Sequence, residues 1–221
     1  VLGSTSAYRR ELLSRLGLPF DVASPDVDEQ PLPGESPFEL ARRLARAKAQ
    51  AVAARCQGDA LVIGSDQVAD LEGRALGKPG AHPAAVAQLK AMRGRRVTFH
   101  TAVCVVRTAS GRMAEAVDSV TVQVRQLSDT DIETYLLLER PYDCAGSAKC
   151  EGLGITLLER IDSSDPTTLV GLPLITTTRL MRELGLDVLE ALGAQDRVQD
   201  RVQDRAQAGS HATTTGERHE P

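Results

Sequence analysis

Ser4, Thr5, Ser6 and Arg9 crowd the point where a short apolar strand end, Leu2-Gly3, gives way to a helix. Free backbone N–H groups and the positive end of the helix dipole favour an anion there. The helix carries Leu12, Leu13 and Leu16 as its apolar stripe, and Arg9 stands three, four and seven residues before them, on the inward face. A guanidinium aimed inward needs an anionic partner. Phosphate matches its planar fork, and an internal carboxylate would satisfy it too.

Asp66 follows the apolar run Ala60-Leu61-Val62-Ile63 and the pair Gly64-Ser65, and so is expected just past a strand end, where open α/β sheets place ligands. A carboxylate there can bind metal, orient water or accept a proton, or it can simply cap a turn. Alone it is a feeble base. A divalent metal that lowers the pKa of its bound water towards ~7 would close the gap. Asp28 and Glu29 sit in an acidic loop able to reach the same region, and a few carboxylates with phosphate oxygens suffice for Mg²⁺. Lys48 interrupts the apolar stripe of Ala41, Leu44 and Ala45, either to reach a buried anion or to snorkel outward. Lys78, in Gly77-Lys78-Pro79, puts a cation on a rigid turn.

Other chemistries find no support. The chain has no G-x-x-x-x-G-K-[ST] loop and no G-x-S-x-G elbow. Cys56, Cys104, Cys144 and Cys150 form no C-x-x-C pair, and His82, His100, His211 and His219 are scattered, which disfavours zinc. His100 reads as a packed side chain in an apolar strand.

These residues require elements to hold them. The pattern predicts a short strand over Pro19 to Ala23 and a long helix from the Ser36-Pro37-Phe38-Glu39 capping box to about Cys56. It then predicts the strand ending before Asp66, a short helix from Pro83 to Met92, and two strands over Val97–Val106 and Val117–Val124 joined at Ser110-Gly111. A helix from Ser128 to about Glu139, a strand near Ile155 to Leu158, and a last helix from about Leu174 to Leu184 complete it. From about Glu190 the composition changes, and Gln195-Asp196-Arg197-Val198 recurs at 199–202 and, in part, at 203–205. The expected organisation is one domain over 1–189 and a low-complexity, disordered extension over 190–221.

A length of 221 residues, 42% hydrophobic and 25% charged, suits one soluble domain with a real core. No apolar run is long enough to span a membrane. A net charge of −4 argues against a general nucleic-acid binder, so a phosphate site must be a local cationic pocket. Scattered cysteines suit a reducing cytoplasm. Aromatics are only 3%, which singles out Tyr8 as a rare stacking surface near the cationic segment.

Together, Leu2-Gly3-Ser4-Thr5-Ser6-Ala7-Tyr8-Arg9-Arg10, Val27-Asp28-Glu29, Ala45-Arg46-Ala47-Lys48-Ala49, Gly64-Ser65-Asp66-Gln67, Gly77-Lys78-Pro79 and Val170-Gly171-Leu172-Pro173-Leu174 resemble the Maf-like nucleotide pyrophosphatase family, from about Val1 to Gly185. The resemblance implies a mixed, twisted α/β sheet flanked by helices, with two lobes around a cleft, and often a homodimer. It implies metal-dependent cleavage of a nucleoside triphosphate to monophosphate and pyrophosphate, with Mg²⁺ or Mn²⁺. Asp66 would be the proton acceptor and, with Glu29, a metal ligand. Ser4, Arg9, Lys48 and Lys78 would hold phosphate.

Tyr8, Gln67 and Glu151 stand where members acting on dTTP and UTP usually carry Arg, Thr and Gln. That trio, with Cys144-Ala145-Gly146-Ser147 and Lys149-Cys150-Glu151-Gly152, resembles the branch acting on 7-methyl-GTP, which often has Trp in place of Tyr8 and Pro in place of Ala7. A carboxylate at Glu151 can accept the N1–H and N2–H of guanine, and Gln67 is expected to donate to O6. N7-methylation makes the base cationic, so the Tyr8 ring gains about 0.5–2 kcal/mol of cation–π attraction. The competing expectations are a pyrophosphatase for dTTP, UTP or other modified nucleotides, and a non-catalytic nucleotide-binding regulator of cell division.

Overall fold

The computed structural model describes residues 1–197. In chain order its elements are β1 (Leu2–Gly3), α1 (Ala7–Ser14), α2 (Pro37–Ala53), β2 (Leu61–Leu71), β3 (Arg74–Leu76), α3 (His82–Met92), β4 (Arg96–Arg107), β5 (Met113–Val124), α4 (Asp129–Glu139), β6 (Leu158–Asp162) and α5 (Leu174–Glu183). The Ser36 hydroxyl and Glu39 carboxylate close a reciprocal capping box on α2, and Ser128 with Asp131 do so on α4. Residues 188–197 are helical. The remainder of the expected extension, 198–221, lies outside the described residues.

The strands form one mixed sheet in the order β1-β2-β4-β5-β6, with β3 also on β2. Only the β1–β2 pair is parallel. Period-two alternation along β4 divides the core. Ala102, Cys104 and Val106 pack against α2 through Ala41, Leu44, Ala45 and Ala49. On the opposite face Val103 and Val105 join Leu12, Leu13, Leu180 and Met181 of α1 and α5. Further along that face, Val97 and Phe99 join Leu89, Met92, Ile132 and Leu136 of α3 and α4. The two lobes are therefore two apolar cores on one face of a continuous sheet, and the buried Thr101 marks their border.

The edge of β2 locates the cleft. β1 pairs with it at Ile63 and Gly64, and β3 pairs with it from Ala69 to Leu71. Between those two short partners, Ser65 to Val68 have a strand on one side only among the described residues.

Three expectations are corrected. Asp66 does not follow the end of a strand; it lies inside β2, opposite Ala102 of β4. Gly64-Ser65-Asp66 reads locally as a turn, but unbroken antiparallel pairing with β4 overrides that signal. What ends at this level is β1, so the open position at Asp66 is real though its cause differs. The strand expected over Ile155–Leu158 is instead a 3-10 turn over Leu153–Leu157, and β6 begins at Leu158. There Leu157 is buried against the sheet while Ile155 faces solvent. The short strand near Pro19–Ala23 is a single bridge from Val22 to Leu2.

Candidate active site

Helix α2 crosses β2 at Gly64, where a Cβ would stand 2.4 Å from both the Ala45 carbonyl oxygen and the Ala49 nitrogen. Only glycine lets the backbones meet so closely. The contact brings Lys48 onto Asp66: Nζ lies 2.6 Å from Asp66 Oδ1 and 2.6 Å from Glu29 Oε1. Lys48 is 5% exposed and Asp66 8%. Lys48, expected on phosphate, thus neutralises the two carboxylates expected to hold metal. Asp66 Oδ2 and Glu29 Oε2 accept no hydrogen bond among the described residues. Burial pushes the Glu29 carboxyl up, but the Lys48 ammonium, with Lys78 and Arg9 beyond it, outweighs this and holds the group below its ordinary value.

Arg9 does point inward, and it contacts no internal carboxylate among the described residues. Its Nε donates to the Gly171 carbonyl at 2.8 Å and its Nη1 to Ser4 Oγ at 3.4 Å. Burial lowers the guanidinium from its usual value while the charges of Asp66 and Glu29 pull it back. It remains a cation without a paired anion among the described residues. The same Gly171 carbonyl accepts Ser65 Oγ, at a backbone φ of 123° that suits glycine. Ser4 Oγ also accepts the Ser6 N–H, which leaves its own hydrogen to donate. Ser6 caps α1, whose first turn holds no acid, so the helix N-terminus faces the cavity without an internal counter-charge.

Gln67 overturns one expectation. Its Nε2 donates to Thr101 Oγ1 at 2.8 Å, the Thr168 carbonyl at 3.0 Å and the Leu169 carbonyl at 3.2 Å. Carbonyl oxygens only accept, so the amide orientation is fixed. Gln67 therefore cannot donate to guanine O6; the atom it has to spare is the acceptor Oε1.

Tyr8 and Glu151 both line the cleft. Burial, with help from Cys144, raises the Tyr8 hydroxyl well above its ordinary range, so the ring is neutral. Lys149 Nζ sits 5.9 Å from the centre of that ring and is held at 2.7 Å by Glu139. Burial pushes the thiols of Cys144 and Cys150 up to about 12, which removes them as nucleophiles.

A cavity of about 430 Å³ joins these groups, lined by Ser4, Tyr8, Arg9, Glu29, Lys48, Gln67, Lys78 and Glu151. Of the expected residues, Asp28 and Asp66 are not in the wall; Asp66 is reached through Lys48. The wall also holds Asp143, which sequence reasoning did not single out. Gly171, Thr168 and Leu169 were likewise silent, because they act through backbone carbonyls that carry no side-chain signal. Cations (Arg9, Lys78) and acids (Asp143, Glu151) both line this one cavity. No three His, Cys, Asp or Glu side chains among the described residues converge to hold a metal unaided. Two carboxylates with spare hard oxygens nonetheless fit a divalent cation that completes its shell from water and phosphate.

A family model described as "Maf-like protein" matches residues 1–184. A protein named 7-methyl-GTP pyrophosphatase from Polaromonas sp. is 63% identical over 186 residues, 84% of each chain. One of the same name from Albidiferax ferrireducens is 60% identical over 86% of this chain and 96% of its own. Another, from Cupriavidus metallidurans, is 58% identical over 84% of this chain and 92% of its own. Among solved structures, the Ham1 protein of Staphylococcus aureus aligns over 57% of this chain and 71% of its own, at 17% identity and a TM-score of 0.41.

Proposed function

The chain belongs to the Maf-like family, and from that premise we propose that it is a nucleoside triphosphate pyrophosphatase that hydrolyses 7-methyl-GTP to its monophosphate and pyrophosphate. The observation that carries this reading is the single cavity lined by phosphate-seeking cations and base-seeking acceptors, with Asp66 just behind its wall.

Water attacks the α-phosphorus in line, and the bond from the α-phosphorus to the bridging oxygen of the departing pyrophosphate breaks. Asp66, placed just behind the cavity wall by β2, takes the proton of the attacking water. Arg9, Lys78 and the hydroxyl of Ser4 hold the triphosphate and stabilise charge on the departing group. Glu29 and Asp66 would hold Mg²⁺ or Mn²⁺, which when bound supplies positive charge at the phosphates and a more acidic water. Two acceptors, Gln67 Oε1 and the Glu151 carboxylate, match the N1–H and N2–H donors of guanine. A pyrimidine carbonyl facing Glu151 would leave a desolvated carboxylate without a donor, which penalises dTTP and UTP. The Tyr8 ring and the acids around it favour the cationic methylated base over plain guanine.

A panel of triphosphates assayed for pyrophosphate release tests the reading. 7-methyl-GTP should show the highest kcat/KM, with GTP next and dTTP and UTP far below. A panel led by a pyrimidine would overturn the base assignment, and triphosphate binding without turnover at any divalent metal would overturn the activity.

A further inference from the structure

We propose that Lys48 bars a divalent cation from the free protein, so that metal enters only together with the phosphate oxygens of a triphosphate. The inference rests on the functional reading above for the identity of the arriving anion. Lys48 Nζ touches one oxygen of each candidate metal ligand at the same distance, 2.6 Å. A cation shared by those two carboxylates would have to stand beside or displace that ammonium. Standing beside it is disfavoured by like-charge repulsion in a poorly solvated place, with Arg9 adding a second positive charge nearby. Displacing it strands a buried lysine: Glu29 and Asp66 are its only charged partners among the described residues, and burying an unpaired ammonium is costly. Nor can the helix withdraw with it, because Gly64 lets α2 lie directly on β2.

A triphosphate removes both obstacles. Its oxygens give Lys48 a new anionic partner and give the metal the ligands that two carboxylates cannot complete. Lys48 is thus a positioning residue that exchanges carboxylates for phosphate, and the order of binding follows from that exchange.

Equilibrium dialysis with Mn²⁺ tests this on the full chain. The free protein should retain Mn²⁺ only marginally, whereas inorganic tripolyphosphate should raise the retained Mn²⁺ by about tenfold or more, beyond what it carries without protein. Lys48→Met and Lys48→Gln, checked as folded by circular dichroism, should bind Mn²⁺ without tripolyphosphate at least about tenfold more tightly than the native chain. Tight Mn²⁺ uptake by the native free protein, or folded variants that gain nothing, would overturn the proposal. Should neither variant fold, the side-chain ¹⁵N resonance of Lys48 in the native protein decides: it should stay in place with Mg²⁺ alone and move with Mg²⁺ and tripolyphosphate, and movement with Mg²⁺ alone would overturn it. None of these probes contains a base, so a protein that failed to hydrolyse 7-methyl-GTP could still pass, and the reverse.

Discussion

Asp66 pairs with a single charged side chain among the described residues, so an amide in its place removes the charge while keeping the shape. Asp66→Asn should lower kcat for pyrophosphate release by about 10²–10⁴-fold, the usual contribution of a positioned general base, with an unchanged circular dichroism spectrum. Turnover within a few fold of native would strip Asp66 of the proton. Glu151→Gln keeps an acceptor and loses the charge. The preference for 7-methyl-GTP over dTTP and UTP should then fall by about tenfold or more, as expected for a charge-assisted hydrogen bond worth about 1.5–3 kcal/mol. The ratio of the kcat/KM values reads this directly, and an unchanged ratio would move the reading of the guanine edge elsewhere. At this scale the sequence was informative where a polar group broke an apolar stripe. Arg9 and Lys48 were legible as inward for that reason. Their partners were not: Arg9 rests on a glycine carbonyl 162 residues away, and Gln67 is turned over by two carbonyls 101 and 102 residues away.

The element scale explains how so much charge is held close together. Helix α2 was legible from its capping box and its alanine-rich face, and β4 and β5 from their β-branched runs. Strand β2 was misjudged at its end because a Gly-Ser-Asp triplet favours a turn in isolation, while pairing with β4 on a buried register keeps it extended. Gly64 is in that triplet for packing, not turning. Gly64→Ala should therefore act on the α2–β2 contact: the added methyl meets two backbone atoms at 2.4 Å, neither of which can rotate aside. Overpacking of this kind costs about 1–3 kcal/mol, which a lowered urea midpoint would report. Because α2 carries Lys48, kcat should fall along with stability, measured well below the melting transition. A variant with native stability and rate would show that the close approach is not needed.

Over the whole molecule, one sheet face carries two apolar cores, and the cleft opens at their border beside the edge left free between β1 and β3. A fold with two cores could be guessed from the number of apolar runs, but their border depends on register and not on any residue type. Charged pairs help tie the loops and helices to this frame, and they set the response to acid. An arginine hydrogen bond holds the carboxyl of Glu115 low, through Arg46 and then Arg42, and that of Glu35 low through Arg43. Glu29 is held low by Lys48 against its own burial. Each group binds a proton less readily when folded than when unfolded, where its value is near 4.5. Their stabilisation is therefore complete above that value and disappears as pH falls through the lower folded values. The urea midpoint should stay nearly level from neutral pH to about 5 and then decline steadily towards about 3. Exchanging Glu115 for Gln should remove part of that decline while lowering the midpoint at neutral pH, since two arginines lose their anion. A midpoint that stays level or rises as acid is added would mean that these pairs do not stabilise the folded chain.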